Sequence, residues 1–147
     1  MKNFDYQTPT RLVFGKGVVN DKLESVMNQY GKRVLVTYGG GSIKRKVAGH
    51  TKSLYEEVMD ILTGKEVYEL SGIQPNPKFR PSVLEGVRLC QEHHIDVILS
   101  VGGGSVLDCT KAIAGVAGTL KGKVYDHVEE AWDLVRGLQP TTAAVPI

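Results

Sequence analysis

Two copies of the tetrapeptide Gly-Gly-Gly-Ser, at residues 39–42 and 102–105, are the features of this sequence best suited to bind a ligand. Each follows a run of apolar residues typical of a buried strand. Glycine has no Cβ, so the backbone can turn sharply there and approach a ligand closely. The second copy also opens a predicted helix, where unpaired N–H groups attract anions. The two turns together predict a nucleotide site, and a tight turn capped by Ser105 is the alternative.

Asp108 and Lys111 follow the second tetrapeptide at helical spacing. Ser105 and Asp108 both fall within the first two turns of the predicted helix, where Asp108 could hydrogen-bond the ligand beside its pyrophosphate. The same spacing also fits a capping-box-like pair of Ser105 and Asp108, which would be purely structural. Lys111 is either solvated or paired with Asp108.

The residues after the first tetrapeptide bear on which nucleotide would bind. Dinucleotide-binding sheets specific for NAD place an acid near this point, where it binds the ribose 2′-hydroxyl. Here no acid is present, and Lys44 and Arg45 follow Ser42. An acid would repel a 2′-phosphate, whereas Ser42 and two cations would tolerate one. The sequence therefore predicts a preference for NADP(H) over NAD(H), the alternative being that both cations decorate a solvated helix start.

Asn76 lies between Pro75 and Pro77 in the loop after a predicted strand. The two prolines limit its conformations. Asn76 could contact the ribose or adenine of a nucleotide, or it could be a turn-forming asparagine, and both readings remain open.

The histidines and cysteines predict neither a catalytic residue nor a metal site. His93 and His94 are adjacent, so a helix would point them apart, and His50 and His127 stand alone in the sequence. These positions favour surface or packing roles over metal binding. Cys109 has no histidine nearby in the sequence to activate it, so we expect it to pack against the sheet. The second cysteine, Cys90, does not make a disulfide framework with it, which indicates a reducing compartment.

Composition limits the class of protein. A chain of 147 residues fits one domain spanning residues 1–147, and its 41% hydrophobic and 23% charged residues are ordinary for a globular protein. A net charge of +2 is too small to indicate nucleic acid or an anionic membrane as a partner. The first residues lack the apolar region of a signal peptide, and no apolar run approaches the ~20 residues of a membrane span. We expect a cytoplasmic location.

Short apolar runs alternate along the chain with amphipathic segments. The runs predict strands at residues 11–14, 33–38, 66–70, 96–101 and 142–147. The amphipathic segments predict helices at residues 19–30, 54–62, 83–90 (with Pro81 in the first turn), 105–116 and 129–135. Such alternation indicates an α/β fold with a Rossmann-like parallel sheet and helices on both faces. Sheets of this kind bind ligands at the carboxyl ends of their strands, where both tetrapeptides lie.

Several segments resemble the iron-containing alcohol dehydrogenase family, in its butanol dehydrogenase and broad aldehyde reductase branch. Residues 102–111 resemble its GGGS-x-x-D-x-x-K signature, residues 38–44 its glycine-rich turn, and residues 72–77 its G-I-x-P-N-P loop. Residues 8–11 and 14–17 are similar to its N-terminal strand and turn. The resemblance implies a Rossmann-like sheet shared with the dehydroquinate synthase group, and reduction of aldehydes or oxidation of primary alcohols with NAD(P)H.

The resemblance also implies roles for individual residues. In the family, Gly103, Gly104 and Ser105 would bind the pyrophosphate, and Asp108 would lie near the nicotinamide. Gly40, Gly41 and Ser42 would lie near the adenosine ribose, where glycine in place of an acid goes with NADP(H). With the loop asparagine added, the candidate cofactor-binding residues are Gly39, Gly40, Gly41, Ser42, Asn76, Gly102, Gly103, Gly104, Ser105 and Asp108.

One departure from the family is large. There, a Thr/Ser-rich cofactor loop follows the strand matched by residues 142–147, and a helical domain then supplies one aspartate and three histidines that hold iron or zinc. The 147 residues contain neither part, so we expect no dehydrogenase activity from them alone. The apolar surface where the helical domain would dock favours a homo-oligomer.

The expected partners are a nicotinamide dinucleotide and, for the parent protein, a small aldehyde or primary alcohol. Two other interpretations remain open. One is a non-catalytic nucleotide-binding module, and the other is a lyase-type or polyol dehydrogenase domain of the same fold. The loop at residues 72–77 favours the alcohol dehydrogenase branch over the latter.

Overall fold

The computed structural model describes residues 10–147, in which three parallel strands form one sheet. The strands are β1 (Arg33–Tyr38), β2 (Glu66–Leu70) and β3 (Val97–Val101), and β1 lies between the other two. In this register Val36 pairs with Glu69 of β2 and with Leu99 of β3. Because all three strands are parallel, their carboxyl ends lie at one edge of the sheet.

Five α-helices accompany the sheet in the described part of the chain. They are α1 (Val18–Met27), α2 (Leu54–Ile61), α3 (Leu84–Glu92), α4 (Gly104–Thr119) and α5 (Val128–Val135). Within residues 10–147, no helix has the length and hydropathy that crossing a bilayer would require.

Both faces of the sheet are covered, which explains why β1 is a continuous apolar run. Leu35 packs on one face against residues of α3 and α4, including Val87 and Ile113. Val34 packs on the opposite face in a second cluster that contains Met27 of α1. This arrangement confirms the predicted α/β fold with helices on both sides of a parallel sheet.

Two predicted strands are wrong. Residues 11–14 form no strand, and Leu12 and Phe14 are 85% and 93% exposed, because no strand of the described chain offers them a backbone partner. Residues 142–147 also form no strand. Pro146 accepts one hydrogen bond from the Ile98 N–H (2.8 Å), but the Val145 N–H turns instead to the Ala114 carbonyl of α4 (3.1 Å). Proline also lacks the N–H that a continued ladder needs.

The remaining elements match their predictions apart from their ends. Pro81 lies in a separate short helical turn, Phe79–Val83, immediately before α3 rather than inside its first turn. Helix α1 ends at Met27, and α4 continues to Thr119. Residues 8 and 9 of the segment that resembles the family's N-terminal strand lie outside the described residues.

An ion pair joins the beginnings of β1 and β3. The Asp96 carboxylate accepts hydrogen bonds from the Arg33 backbone N–H (2.9 Å) and from the Arg33 guanidinium (3.1 Å). A Cβ on Gly31 would lie 2.3 Å from Asp96 Oδ2, so this approach requires glycine there. The Arg33 guanidinium and, next, the Arg33 backbone N–H lower the pKa of Asp96.

We expect Asp96→Asn to lower the thermal unfolding midpoint at pH 7 by a few degrees at most, because the pair is partly exposed. The pKa of Asp96 is lower in the folded chain than the unfolded value of about 3.9. The carboxylate therefore stabilises the fold above that value, and this contribution is lost as the pH falls through the folded pKa. Scanning calorimetry of both proteins should show the difference shrink below about pH 4. A difference that stays constant down to pH 3 would contradict this.

Candidate nucleotide-binding site

Three loops meet at the carboxyl edge of the sheet. The Gly72 N–H donates to the Gly39 carbonyl (3.0 Å), and the Ile73 N–H donates to the Tyr38 carbonyl (3.2 Å), which joins the loops after β1 and β2. A Cβ on Gly39 would lie 3.2 Å from the Ile73 carbonyl oxygen and 3.7 Å from Val106 of α4. The structure thus brings both glycine-serine tetrapeptides and the loop at residues 72–77 to one edge.

Helix α4 begins with backbone amides that have no partner. Gly103 is the N-cap, in an extended conformation, and its carbonyl accepts hydrogen bonds from the Val106 N–H (3.0 Å) and the Leu107 N–H (3.1 Å). Among the described residues, the N–H groups of Gly104 and Ser105 have no acceptor. These amides and the positive end of the helix are free to bind an anion.

The structural roles that we considered for Ser105 and Asp108 are wrong. The N-cap is Gly103, which has no side chain to cap with, and Ser105 already lies inside the helix. Asp108 is exposed and, within the described residues, forms neither a capping hydrogen bond with Ser105 nor an ion pair with Lys111. Both polar side chains therefore remain available to a ligand.

Neither steric crowding nor a positive φ requires glycine at four positions of the two tetrapeptides. None of them has a positive φ, and an added Cβ would find no atom of the described chain within 4 Å; they are Gly40, Gly41, Gly103 and Gly104. Gly102 differs, because its Cβ would lie 2.7 Å from Val106 Cγ2. Close approach by a ligand is a physical reason for glycine at the four open positions.

A buried pair of threonines connects β1 to α4, which sequence reasoning missed. Thr110 donates its hydroxyl hydrogen to the Val106 carbonyl (2.8 Å), so its oxygen accepts the hydrogen of Thr37 (2.6 Å). Both side chains are fully buried. The bond fixes the second turn of α4 against the strand that leads into the first tetrapeptide. The available signal was the hydroxyl of Thr37 within the otherwise apolar run of residues 34–38.

The first tetrapeptide continues into a single 3₁₀ turn, Gly41–Lys44, rather than a solvated helix. Ile43 is buried in the core beneath this turn, whereas Ser42 is exposed. The Lys44 ammonium lies over two aromatic rings, 4.5 Å from the Tyr55 centroid and 5.1 Å from the Tyr38 centroid. The two predicted cations therefore differ, since the Arg45 side chain is exposed and has no partner among residues 10–147.

Asn76 adopts a φ of 52°, in the left-handed region that asparagine tolerates better than most residues. This conformation agrees with a turn-forming role. Its exposed side chain makes no hydrogen bond within the described residues, so contact with a ligand stays a prediction.

The cysteines and two of the histidines serve packing or surface contacts. Burial raises the pKa of Cys90 to about 12 and that of Cys109 to about 11, so both thiols are neutral at physiological pH. The predicted packing of Cys109 is confirmed. His93 stacks on Tyr68 with ring centroids 4.0 Å apart. His127 lies at the surface near Glu130.

A parallel sheet with glycine turns and a helix N-terminus at its carboxyl edge is the arrangement of dinucleotide-binding α/β proteins. The family model for iron-containing alcohol dehydrogenases matches residues 9–147, and the chain belongs to this family. The described residues offer no metal site, because they contain no group of three or more His, Cys, Asp or Glu side chains that could hold an ion. They do not fit the iron that the family name implies.

Relatives and solved structures agree with this assignment. The chain is 49% identical over 136 residues to "Probable NADH-dependent butanol dehydrogenase 2" of Bacillus subtilis, covering 91% of this chain and 31% of the relative. It is 37% identical to the NADPH-dependent aldehyde reductase YqhD of Escherichia coli, covering 100% and 34%. The structure is similar to NADH-dependent butanol dehydrogenase A of Thermotoga maritima, with a TM-score of 0.79, 36% identity and coverage of 100% and 34%. The chain thus spans about a third of the length of the curated relatives it matches.

We expect Thr110→Val to destabilise the chain by about 1–3 kcal/mol, because it removes the buried acceptor of the Thr37 hydroxyl. Thr110→Ser keeps that acceptor and should cost less. The double variant Thr37→Val/Thr110→Val should recover part of the loss, since neither hydroxyl is then left unpaired. Urea unfolding measures all three. If the valine variant is no less stable than the serine variant, the pair does not connect β1 to α4 as described.

Proposed function

We propose that residues 1–147 form the nicotinamide-dinucleotide-binding domain of a metal-dependent alcohol dehydrogenase or aldehyde reductase. The observation that carries the proposal is the pair of unpartnered amides at Gly104 and Ser105, at the start of a helix on the sheet edge where such cofactors bind. Relatives named for NADH-dependent and NADPH-dependent oxidoreductases support the same class of ligand.

The start of α4 is suited to the pyrophosphate. The amides of Gly103, Gly104 and Ser105 and the helix dipole attract its negative charge, and the Ser105 hydroxyl can donate one more hydrogen bond. Gly102 lets the backbone leave β3 and enter this turn in close contact with the Val106 side chain, where a Cβ would clash. Asp108 lies one turn further along α4, on the proposed nicotinamide side, where it would orient the ring. The bound dinucleotide supplies or accepts the hydride.

The first tetrapeptide is suited to the adenosine half. Gly40 and Gly41 leave open space, Ser42 offers an exposed hydroxyl, and Asn76 comes from the loop that is hydrogen-bonded to Gly39. Residues 39–45 contain no acid that would repel a 2′-phosphate, and Arg45 is unpaired within the described chain. We propose on these grounds a preference for NADP(H), although relatives are named for either cofactor.

Chemistry on the substrate needs groups beyond these residues. The described chain offers no metal-ligating cluster and no activated thiol. We propose that the parent protein acts on a small aldehyde or primary alcohol as a cytoplasmic homo-oligomer, and that residues 1–147 alone bind the cofactor without turning substrate over. Free, buried cysteines support the reducing compartment.

We expect Gly104→Val to weaken the binding of both NADPH and NADH by at least about tenfold, because the new side chain fills the space above the amides. A Cβ at this position meets no atom of the described chain within 4 Å, so we expect the unfolding midpoint to change little. Fluorescence titration of the wild type should also give tighter binding for NADPH than for NADH. Lys121→Val, beyond the other end of α4, is the matched control.

If the Gly104 variant binds both cofactors with wild-type affinity, the proposed pyrophosphate site is refuted. Tighter binding of NADH than of NADPH by the wild type would refute only the proposed cofactor preference.

We expect no reduction of a short aliphatic aldehyde by the 147-residue chain above the uncatalysed rate, with NADPH and with Fe²⁺ or Zn²⁺ added. The reason is that polarising the aldehyde oxygen needs a held metal, and the described residues provide no ligand set. Loss of NADPH absorbance measures the reaction. A wild-type chain that binds NADPH in the titration yet shows sustained, protein-dependent turnover would overturn this proposal.

A further inference from the structure

Four side chains form an anchor cluster on the α2 side of the sheet, next to the first tetrapeptide: Tyr38, Lys44, Tyr55 and Glu69. The Tyr38 hydroxyl donates to Glu69 Oε2 (2.6 Å), and the Tyr55 hydroxyl lies 3.1 Å from both Glu69 carboxylate oxygens. The two rings meet edge to face with centroids 5.8 Å apart. The Lys44 ammonium lies over both rings, which is a cation–π arrangement.

The charges within the anchor cluster are balanced. The Tyr38 hydroxyl and, more weakly, the charges of its neighbours including Glu69 raise the pKa of Lys44, so its amine is positive at neutral pH. Burial and then the hydrogen bond to Glu69 raise the pKa of Tyr55, so its hydroxyl remains a donor. Lys44 and Glu69 thus bring opposite charges to the same two tyrosines.

The anchor cluster holds both ends of the first tetrapeptide. Tyr38 directly precedes Gly39, and Lys44 ends the 3₁₀ turn that begins at Gly41. Between these ends, Gly40 and Gly41 have no side chain and no neighbour at the Cβ position. A glycine segment without packing contacts loses much conformational freedom when it orders around a ligand. Fixing both ends in advance reduces that loss.

We infer that Lys44 is a positioning residue, which through Tyr38, Tyr55 and Glu69 holds the turn at residues 39–42 ready for the adenosine half of either dinucleotide. It is not the contact for a 2′-phosphate, since its ammonium already lies over the rings of Tyr38 and Tyr55. The side chain of Arg45, the next residue, is exposed and has no partner within residues 10–147, and Arg45 is the cation that we assign to that phosphate. The inference rests on the proposed function.

Lys44→Met keeps an unbranched side chain of similar length but removes the positive charge. We expect the Kd values for NADPH and NADH to rise by the same factor, roughly tenfold, because a freed turn must be ordered on binding of either cofactor. Arg45→Met should raise the Kd for NADPH and leave the Kd for NADH unchanged. Glu69→Gln should act like Lys44→Met, since the tyrosine hydroxyls lose their charged acceptor. Tyr68→Phe is the matched control, because Tyr68 precedes Glu69 on β2 but packs on the opposite core cluster with His93.

Hydrogen exchange provides a second measurement that does not depend on cofactor. The amides of residues 41–44 should exchange faster in the Lys44 variant than in the wild type, while the amides of β3 should not. A Lys44 variant that loses affinity for NADPH but not for NADH would overturn the inference and would make Lys44 a phosphate contact. Unchanged affinity for both would also overturn it. A wild type that binds neither dinucleotide would instead refute the proposed function, and the inference with it.

Discussion

The site depends on a pair of backbone amides that the fold leaves without acceptors. Every α-helix begins with N–H groups that lack an intrahelical partner, and a side-chain oxygen at the N-cap commonly satisfies one of them. In α4 the N-cap is Gly103, whose carbonyl accepts two hydrogen bonds but which has no side-chain oxygen to give. The Thr37–Thr110 bond then fixes this helix start at the carboxyl edge of the sheet. An anion placed there replaces a cap that the sequence omits.

The glycines of the two tetrapeptides separate into two physical classes. Gly39 and Gly102 are close to neighbouring atoms that would crowd or clash with a Cβ, so folding alone accounts for them. The other four have no positive φ and open surroundings, so steric crowding does not account for them; they are Gly40, Gly41, Gly103 and Gly104. Glycine at these positions gains no packing contact, and it loses more conformational freedom on folding than any other residue. The proposed ligand, approaching the backbone closely, would give a reason for glycine at these positions, and both turns lie at the same edge of the sheet.

Hydrophobic periodicity in the sequence predicted those strands and helices whose formation depends on nearby residues. The strands at residues 33–38 and 66–70 and the helix at residues 54–62 were recognisable because burial imposes a period of two or 3.6 on the sequence itself. The strands predicted at residues 11–14 and 142–147 failed because a strand requires a partner, and pairing is a property of distant residues. The anchor cluster was invisible for the same reason: Tyr38 and Glu69 become neighbours only when β1 and β2 pair in parallel, with Thr37 opposite Leu70. Capping by Ser105 was a reasonable reading of spacing, but the helix begins one residue earlier, at Gly104.

The most direct test follows the backbone amides themselves. In a titration of the ¹⁵N-labelled chain with NADPH, followed by amide NMR, the resonances of Gly103, Gly104 and Ser105 should shift the most and become protected from exchange with water. Resonances of residues 39–42 should shift with the same apparent Kd, since one dinucleotide would span both turns. If NADPH binds but the amides at the start of α4 neither shift nor gain protection, the diphosphate lies elsewhere and the account is contradicted.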